Sequence, residues 1–193
     1  MQPNTRLIRI GLGLGLGLLL TSVPTRAQDA PTGDPPPAAD ASDVASVDAI
    51  IESVYASISA PAGVPRDWER FQSLFMPGAR LMPTFGPSDG NYGRSVWTPE
   101  EYMERAGPSL ERDGFFENEI HRIEERFGPV VHAFSTYESR RSADDPDPFA
   151  RGINSFQLFW DGSRWWVVGV FWYGESEAHP IPATYLPGAD QAR

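Results

Sequence analysis

From Phe115 to Tyr173 the chain makes four long runs rich in β-branched and aromatic residues: Phe115–Phe127, Val130–Arg140, Gly152–Trp160 and Trp165–Tyr173. Each is bounded by turn chemistry. Gly128-Pro129 closes the first pair and Asp161-Gly162 the last, while Ser142–Arg151, carrying Asp144, Asp145, Asp147 and two prolines, forms the longer loop between the middle runs. Consecutive strands joined in this way make an antiparallel meander, and its apolar face must be covered by something.

The cover precedes it in the chain. Val47, Ile50, Ile51, Val54, Tyr55 and Ile58 fall on one face of a helix, with Ser46 as its N-cap. After the Pro61-Ala-Gly63 break, Trp68, Phe71, Leu74 and Phe75 repeat that spacing until Pro77-Gly78 stops it. Ala79–Phe85 reads as a strand, and Gly86–Arg94 as a loop. Thr98-Pro99-Glu100-Glu101 starts a third helix, because the threonine caps, the proline suits the first helical position and Glu101 can close a capping box. That helix should end near Gly107-Pro108 or continue weakly to Gly114. Helices first and a meander afterwards predict an α+β domain with its helices on one face.

The flanks carry no such periodicity. Arg6 and Arg9, the apolar run Ile10–Leu20 and the small residues Thr25-Arg26-Ala27 read as a secretory signal over residues 1–27. The apolar run is about half of the roughly 20 residues needed to span a bilayer, so no membrane anchor is expected after cleavage. Residues 28–42 predict a disordered leader rich in Pro, Ala and Asp, the domain occupies 43–179, and 180–193 form a tail that lies on the surface or frays. A periplasmic or secreted location follows.

Cleavage would leave 166 of the 193 residues, enough for one domain with a real core. With no cysteine, that core alone must hold the exported chain. Arg6, Arg9 and Arg26 would leave with the signal, so 13 arginines would face 26 acids, a net charge of −13. This repels phosphate backbones and anionic lipid heads, which argues against nucleic acid or a membrane surface as partner. No lysine is present, which removes Schiff-base chemistry.

The segments Ala49-Ile-Ile-Glu-Ser-Val-Tyr55, Phe134-Ser-Thr-Tyr-Glu-Ser-Arg140, Arg151-Gly-Ile-Asn-Ser-Phe-Gln157 and Arg164-Trp-Trp to Trp172-Tyr-Gly-Glu175 carry a resemblance. In their order and spacing the chain resembles the nuclear transport factor 2-like superfamily, which includes ketosteroid isomerases and SnoaL-like cyclases. The resemblance covers roughly Asp43 to His179. It implies a cystatin-like α+β roll, a cone-shaped curved antiparallel sheet wrapped around three N-terminal helices, with an open-ended cavity. One scaffold of this kind serves enzymes, binding proteins and docking modules, so it implies no single activity.

Carried over residue by residue, the resemblance puts Tyr55 where the isomerases keep a tyrosine donor. It puts Asn154 near their second donor, a pair that serves as a standard oxyanion hole. The general-base position is Pro83, which cannot accept a proton; Asp89 in the next loop is the nearest carboxylate in sequence. Strand alternation sets Val131, Ala133, Ser135 and Tyr137 on the cavity face, with Asn154, Phe156 and Leu158 beside them. A one-residue slip would exchange the faces. The pocket candidates are therefore Tyr55, Phe75, His121, Ser135, Tyr137, Asn154, Phe156, Phe171 and Tyr173, with no catalytic residue assigned. The aromatic stripe Trp165–Tyr173 either lines a cavity or forms core on one face and a subunit interface on the other. Gly169, in the middle of that strand, marks a bend or close approach.

His121, His132 and His179 are too scattered for a metal, and no cofactor is expected. The Asp144–Asp147 cluster lacks the glycine and glutamate of a calcium loop, and no Gly-x-Ser-x-Gly elbow occurs. Arg140, Arg141 and Arg151 either meet a carboxylate at the cavity mouth or pair with neighbouring acids. Three functions remain: a protein binding a small apolar or aromatic molecule, an isomerase- or cyclase-type enzyme polarising a carbonyl through Tyr55 and Asn154, and a docking or dimerisation module. A homodimer through the outer sheet face is expected.

Overall fold

Residues 35–88 and 91–188 are described by a computed structural model. The expected signal, the start of the leader, Asp89 and the last tail residues lie outside them. Three helices and six strands follow in the order α1 (Val47–Ile58), α2 (Trp68–Ser73), β1 (Phe75–Ser88), β2 (Asn91–Arg94), α3 (Pro99–Asp113), β3 (Phe116–Phe127), β4 (Val130–Arg140), β5 (Ala150–Trp160) and β6 (Trp165–Gly174). The strands form one sheet in the order β2-β1-β6-β5-β4-β3. This is the α+β roll the resemblance implies. The sheet is mixed, because β1 runs parallel to β6 while every other pairing is antiparallel.

Each helix forms for a local reason and buries one stripe. Ser46 Oγ accepts from Ala49 N at 3.0 Å to start α1, whose Ile50, Ile51 and Val54 are buried against the sheet. Side chains of this size contribute about 1.5–3 kcal/mol each on full burial. Thr98 and Glu101 close the capping box of α3. The helix then runs through Pro108 to Asp113 and is capped at Gly114, the second of the two ends expected for it. Pro108 lies on the exposed side, where water can satisfy the carbonyl its ring leaves without a donor. Gly107 packs under Trp68, leaving no room for a larger residue without movement.

The start of β1 differs from the sequence reading. Leu74 and Phe75 continue the helical spacing, yet α2 stops at Ser73 and Phe75 already pairs with Val167 of β6. The strand's own core contacts override the weak signal of a six-residue helix. The expected loop 86–94 holds the short strand β2, which folds back on β1. The described ends are tied down as well. Asp43 receives a two-pronged ion pair from Arg70, at 2.7 and 2.9 Å. At the other end a single 3-10 turn, Ala183–Tyr185, lies on the outer face of β4, where Thr136 Oγ1 donates to the Tyr185 carbonyl at 2.7 Å. Among the described residues no helix is long and apolar enough to cross a membrane.

Two bulges decide which side chains reach the concave face. On β6, Val167 pairs with Leu158 and Gly169 with Gln157, so Val168 is an extra residue. The inward set changes there from Trp165 and Val167 to Val170 and Trp172. On β3, Glu119 pairs with Tyr137 and His121 with Thr136, so Ile120 is extra. Glu117 and Glu119 therefore face inward and His121 outward. Gly169 is the close approach its mid-strand position implied, since a Cβ there would lie 3.1 Å from the Arg80 carbonyl.

Arg66 ties the helical layer together. Its guanidinium is buried and donates to the carbonyls of Ile58 (2.8 Å), Val64 (2.6 Å) and Leu110 (2.5 Å). Ile58 ends α1 and Leu110 lies in the last turn of α3, so one cation satisfies carbonyls at two negative helix ends. Replacing it by methionine would leave those acceptors buried without a donor, at about 1.5–3 kcal/mol for a charged hydrogen bond. Arg66→Met is expected to lower the unfolding free energy read from urea titration by at least that amount, and Arg66→Lys to restore little, because an ammonium cannot span three divergent acceptors.

Candidate functional site

A cavity of about 240 Å³ lies between the helices and the concave face of the sheet. Its walls are mostly rings. Phe71 of α2 stacks on Tyr102 of α3, with centroids 5.4 Å apart, and Trp172 of β6 meets Tyr102 edge-on at 6.3 Å. Tyr55 and Phe156 pack edge-to-face at 5.9 Å. Phe115 and Phe149 flank the cavity together, and Phe149 is 49% exposed, so the opening lies there. Arg141 sits over the Phe149 ring at 4.1 Å.

At the closed end the polar groups satisfy one another. Ser135 Oγ donates to Glu119, whose carboxylate also holds Arg122 Nε at 3.1 Å. With its proton used there, Ser135 accepts from the Tyr55 hydroxyl at 2.7 Å. Tyr55 Oη in turn accepts from Asn154 Nδ2 at 3.1 Å, and the second Nδ2 proton goes to Glu117 Oε1, also at 3.1 Å. Ser139 Oγ donates to Glu117 Oε2 at 3.0 Å. The result is one seam, Glu119–Ser135–Tyr55–Asn154–Glu117–Ser139, crossing from β3 through β4, α1 and β5 and back.

Four of the expected pocket residues, Tyr55, Tyr137, Asn154 and Phe156, line the cavity. Tyr55 and Asn154 are brought together as expected, but neither offers a free donor: the seam uses the phenol proton and both amide protons. Ser135 is fully buried behind Tyr55 and does not line the cavity. Phe75 is core, packed on Phe71 at 4.7 Å. His121 faces outward because it pairs with the outward Thr136, while Phe171 and Tyr173 are turned to the outer face by the bulge at Val168, which exchanges inward and outward positions beyond it. Phe171 is 47% exposed, and Tyr173 packs with Tyr92 and His179. Val170 and Trp172 take the cavity positions on β6. Arg140 pairs with Glu138 at 2.7 Å and Arg151 with Glu175 at 2.8 Å, so both are held by neighbouring acids.

The residue that sequence reasoning missed is Glu117. Burial pushes its carboxyl up to about 7, against the opposing pull of the hydrogen bonds from Ser139 and Asn154. Tyr55 is held well above an ordinary phenol, by burial first and then by the charge of Glu117. Tyr102 and Tyr137 are raised for the same two reasons, and among the described residues neither gains a hydrogen bond. Among the described residues no group of His, Asp or Glu side chains is arranged to hold a metal ion.

Because folding raises the Glu117 value above its ordinary 4.5, the native state binds the proton more tightly than the unfolded chain. The stability this confers is fully present below about pH 4.5 and is lost as pH rises through about 7. The span is on the order of 3 kcal/mol. Urea titrations of Glu117→Gln are expected to show a flatter pH profile between about pH 5 and 8, and a protein more stable than the parent at the upper end.

No family model matches the chain, and no curated protein matches it. Among solved structures it is similar to a protein of unknown function with a cystatin-like fold from Nostoc punctiforme, at 10% identity and TM-score 0.49, over 72% of this chain and 89% of that one. It is also similar to a candidate calcium/calmodulin-dependent protein kinase II association domain from Xanthomonas campestris, at 13% identity and TM-score 0.48, over 68% and 86%. A candidate ketosteroid isomerase from Kribbella flavida matches at 12% identity and TM-score 0.40, over 75% and 89%.

Proposed function

We propose that this chain is an exported small-molecule-binding protein whose ligand is a compact, flat compound of one or two fused rings. The observation that carries this reading is the ring-walled cavity of about 240 Å³, closed by polar groups that satisfy one another. Its volume exceeds the ~150 Å³ that accommodates benzene. It falls below the roughly 300–1,000 Å³ of pockets for drug-sized ligands, which argues against a four-ring substrate. The basic start and apolar run before Ala27 support export.

Carbonyl polarisation by Tyr55 and Asn154 loses support, because their donors are committed within the seam. A different acid–base reading has an observation of its own. Burial pushes Glu117 up to about 7 on the cavity wall, and Tyr137 shares that wall with a hydroxyl that has no partner among the described residues. A base and a donor of this kind suit proton transfer next to a carbonyl.

Tyr55→Phe separates the readings. Removing the hydroxyl leaves Ser135 and Asn154 short of a partner, at about 1–3 kcal/mol of stability. Calorimetric affinity for a one-ring aromatic probe is expected to stay within about threefold of the parent, the change a non-contacting hydroxyl allows. Loss of binding would overturn the reading. Turnover of a small enone that falls about 10²-fold or more in Glu117→Gln would establish the acid–base alternative instead.

A further inference from the structure

We infer that the cavity selects an organic cation, a protonated amine on a one- or two-ring aromatic body, with Glu117 as its counter-ion and the surrounding rings as its cage. This rests on the reading of the cavity as a ligand site and names the chemical class that site takes.

Three observations converge. The first is an acid without a counter-charge. Among the described residues no arginine or histidine pairs with Glu117, whereas every nearby cation is engaged elsewhere. Arg122 is held by Asp48 and Glu119, and Arg66 by backbone carbonyls. Arg141, over Phe149 at the mouth, donates to the Gly114 carbonyl. The groups that face Glu117 are Tyr55 from α1, Tyr102 from α3, Tyr137 and Ser139 from β4, Asn154 from β5 and Trp172 from β6. All are neutral at ordinary pH. Glu119, the next inward residue on its own strand, is ion-paired with Arg122 at 3.1 Å.

The second observation is the wall itself. Phe71, Tyr102, Tyr137, Phe156 and Trp172 line the same cavity as the carboxyl, with Tyr102 and Tyr137 close enough to feel its charge. Ring faces attract cations, most strongly where water is excluded, and they do nothing to offset the burial of an anion. The third is hydrogen-bonding capacity. Among the described residues the hydroxyl oxygens of Tyr102 and Tyr137 meet no donor, so an ammonium with three protons finds a carboxylate and phenol oxygens in the cavity. The chain's net charge of −10 draws cations toward the protein before any contact forms.

A cation in this place removes the penalty that burial sets on ionised Glu117, while a neutral ligand of the same shape leaves that penalty and an anion enlarges it. Selectivity must therefore grow as Glu117 ionises. The matched probes are phenethylamine, protonated throughout the range used, and propylbenzene, which has the same shape without the charge. Each is titrated calorimetrically into the full chain and into Glu117→Gln.

At about pH 8.5 phenethylamine is expected to bind the parent at least about tenfold tighter than propylbenzene. The advantage should fall to about threefold or less near pH 5, with a midpoint close to the Glu117 value of about 7, and vanish in Glu117→Gln at either pH. The midpoint is read on the parent alone, so it holds even if the variant folds poorly. Equal or tighter binding of propylbenzene at the higher pH would overturn the inference and leave the ligand site standing. A preference that survives in Glu117→Gln, or that does not change with pH, would overturn it equally. Binding of neither probe would remove the ligand site itself, and the inference with it.

Discussion

The structure depends on a polar seam placed inside an apolar core. Six side chains from α1, β3, β4 and β5 bring hydroxyls, an amide and two carboxyls into a region lined by Phe156, Val54 and Tyr102, where an unsatisfied polar atom costs several kcal/mol. Each atom is tolerated because another accepts or donates to it. The first helix is therefore fixed on the sheet at one position: a shift of one turn would keep the burial of Ile50 and Val54 roughly constant but would break the contacts of Tyr55 with Ser135 and Asn154. Apolar packing drives the helix onto the sheet, and the seam selects where it stops.

The same seam determines what chemistry the cavity presents. A tyrosine and an asparagine within 3.1 Å of each other look like a donor pair when taken alone. Followed outward, the seam ends in a carboxylate on either side: Ser135 donates to Glu119, Tyr55 to Ser135, and Asn154 to both Tyr55 and Glu117, so every donor along it is taken by a protein acceptor. The cavity is left with ring faces, two phenols and one carboxyl. That composition favours recognition through shape and charge over activation of a carbonyl at the closed end.

Much of this was legible in the sequence, and most of what was not traces to the two bulges. The alternation of Val131, Ala133, Ser135 and Tyr137 on β4, and of Asn154, Phe156 and Leu158 on β5, gives the buried face directly, because those strands pair without interruption. On β3 and β6 an extra residue enters, and no local signal marks it on β3. Counting back from the Gly128-Pro129 turn in strict register places Asn118 opposite Ser139. The bulge at Ile120 puts Glu117 there instead, turning an apparently solvated acid into the carboxyl of the cavity. On β6 the signal was present in Gly169 and pointed to a close approach, but a glycine alone does not say that the faces exchange beyond it. The start of β1 was hidden for a different reason: Leu74 and Phe75 fit helical spacing and strand burial equally well.

The turn at Ala183–Tyr185 bears on how the outer side of the sheet can be used. Tyr185 takes the Thr136 hydroxyl on its carbonyl and sets its ring against Phe134 at 5.1 Å, which is why Thr136 is buried although it points away from the cavity. The middle of β4 on that side, at Phe134 and Thr136, is thus roofed by the Ala183–Tyr185 turn. Over β6 that side leaves Val168 and Phe171 exposed, while Tyr92 of β2 packs there against Tyr173 and His179. Any second subunit docking on the sheet would have to sit off-centre, its footprint displaced from the sheet's middle toward the β2 edge.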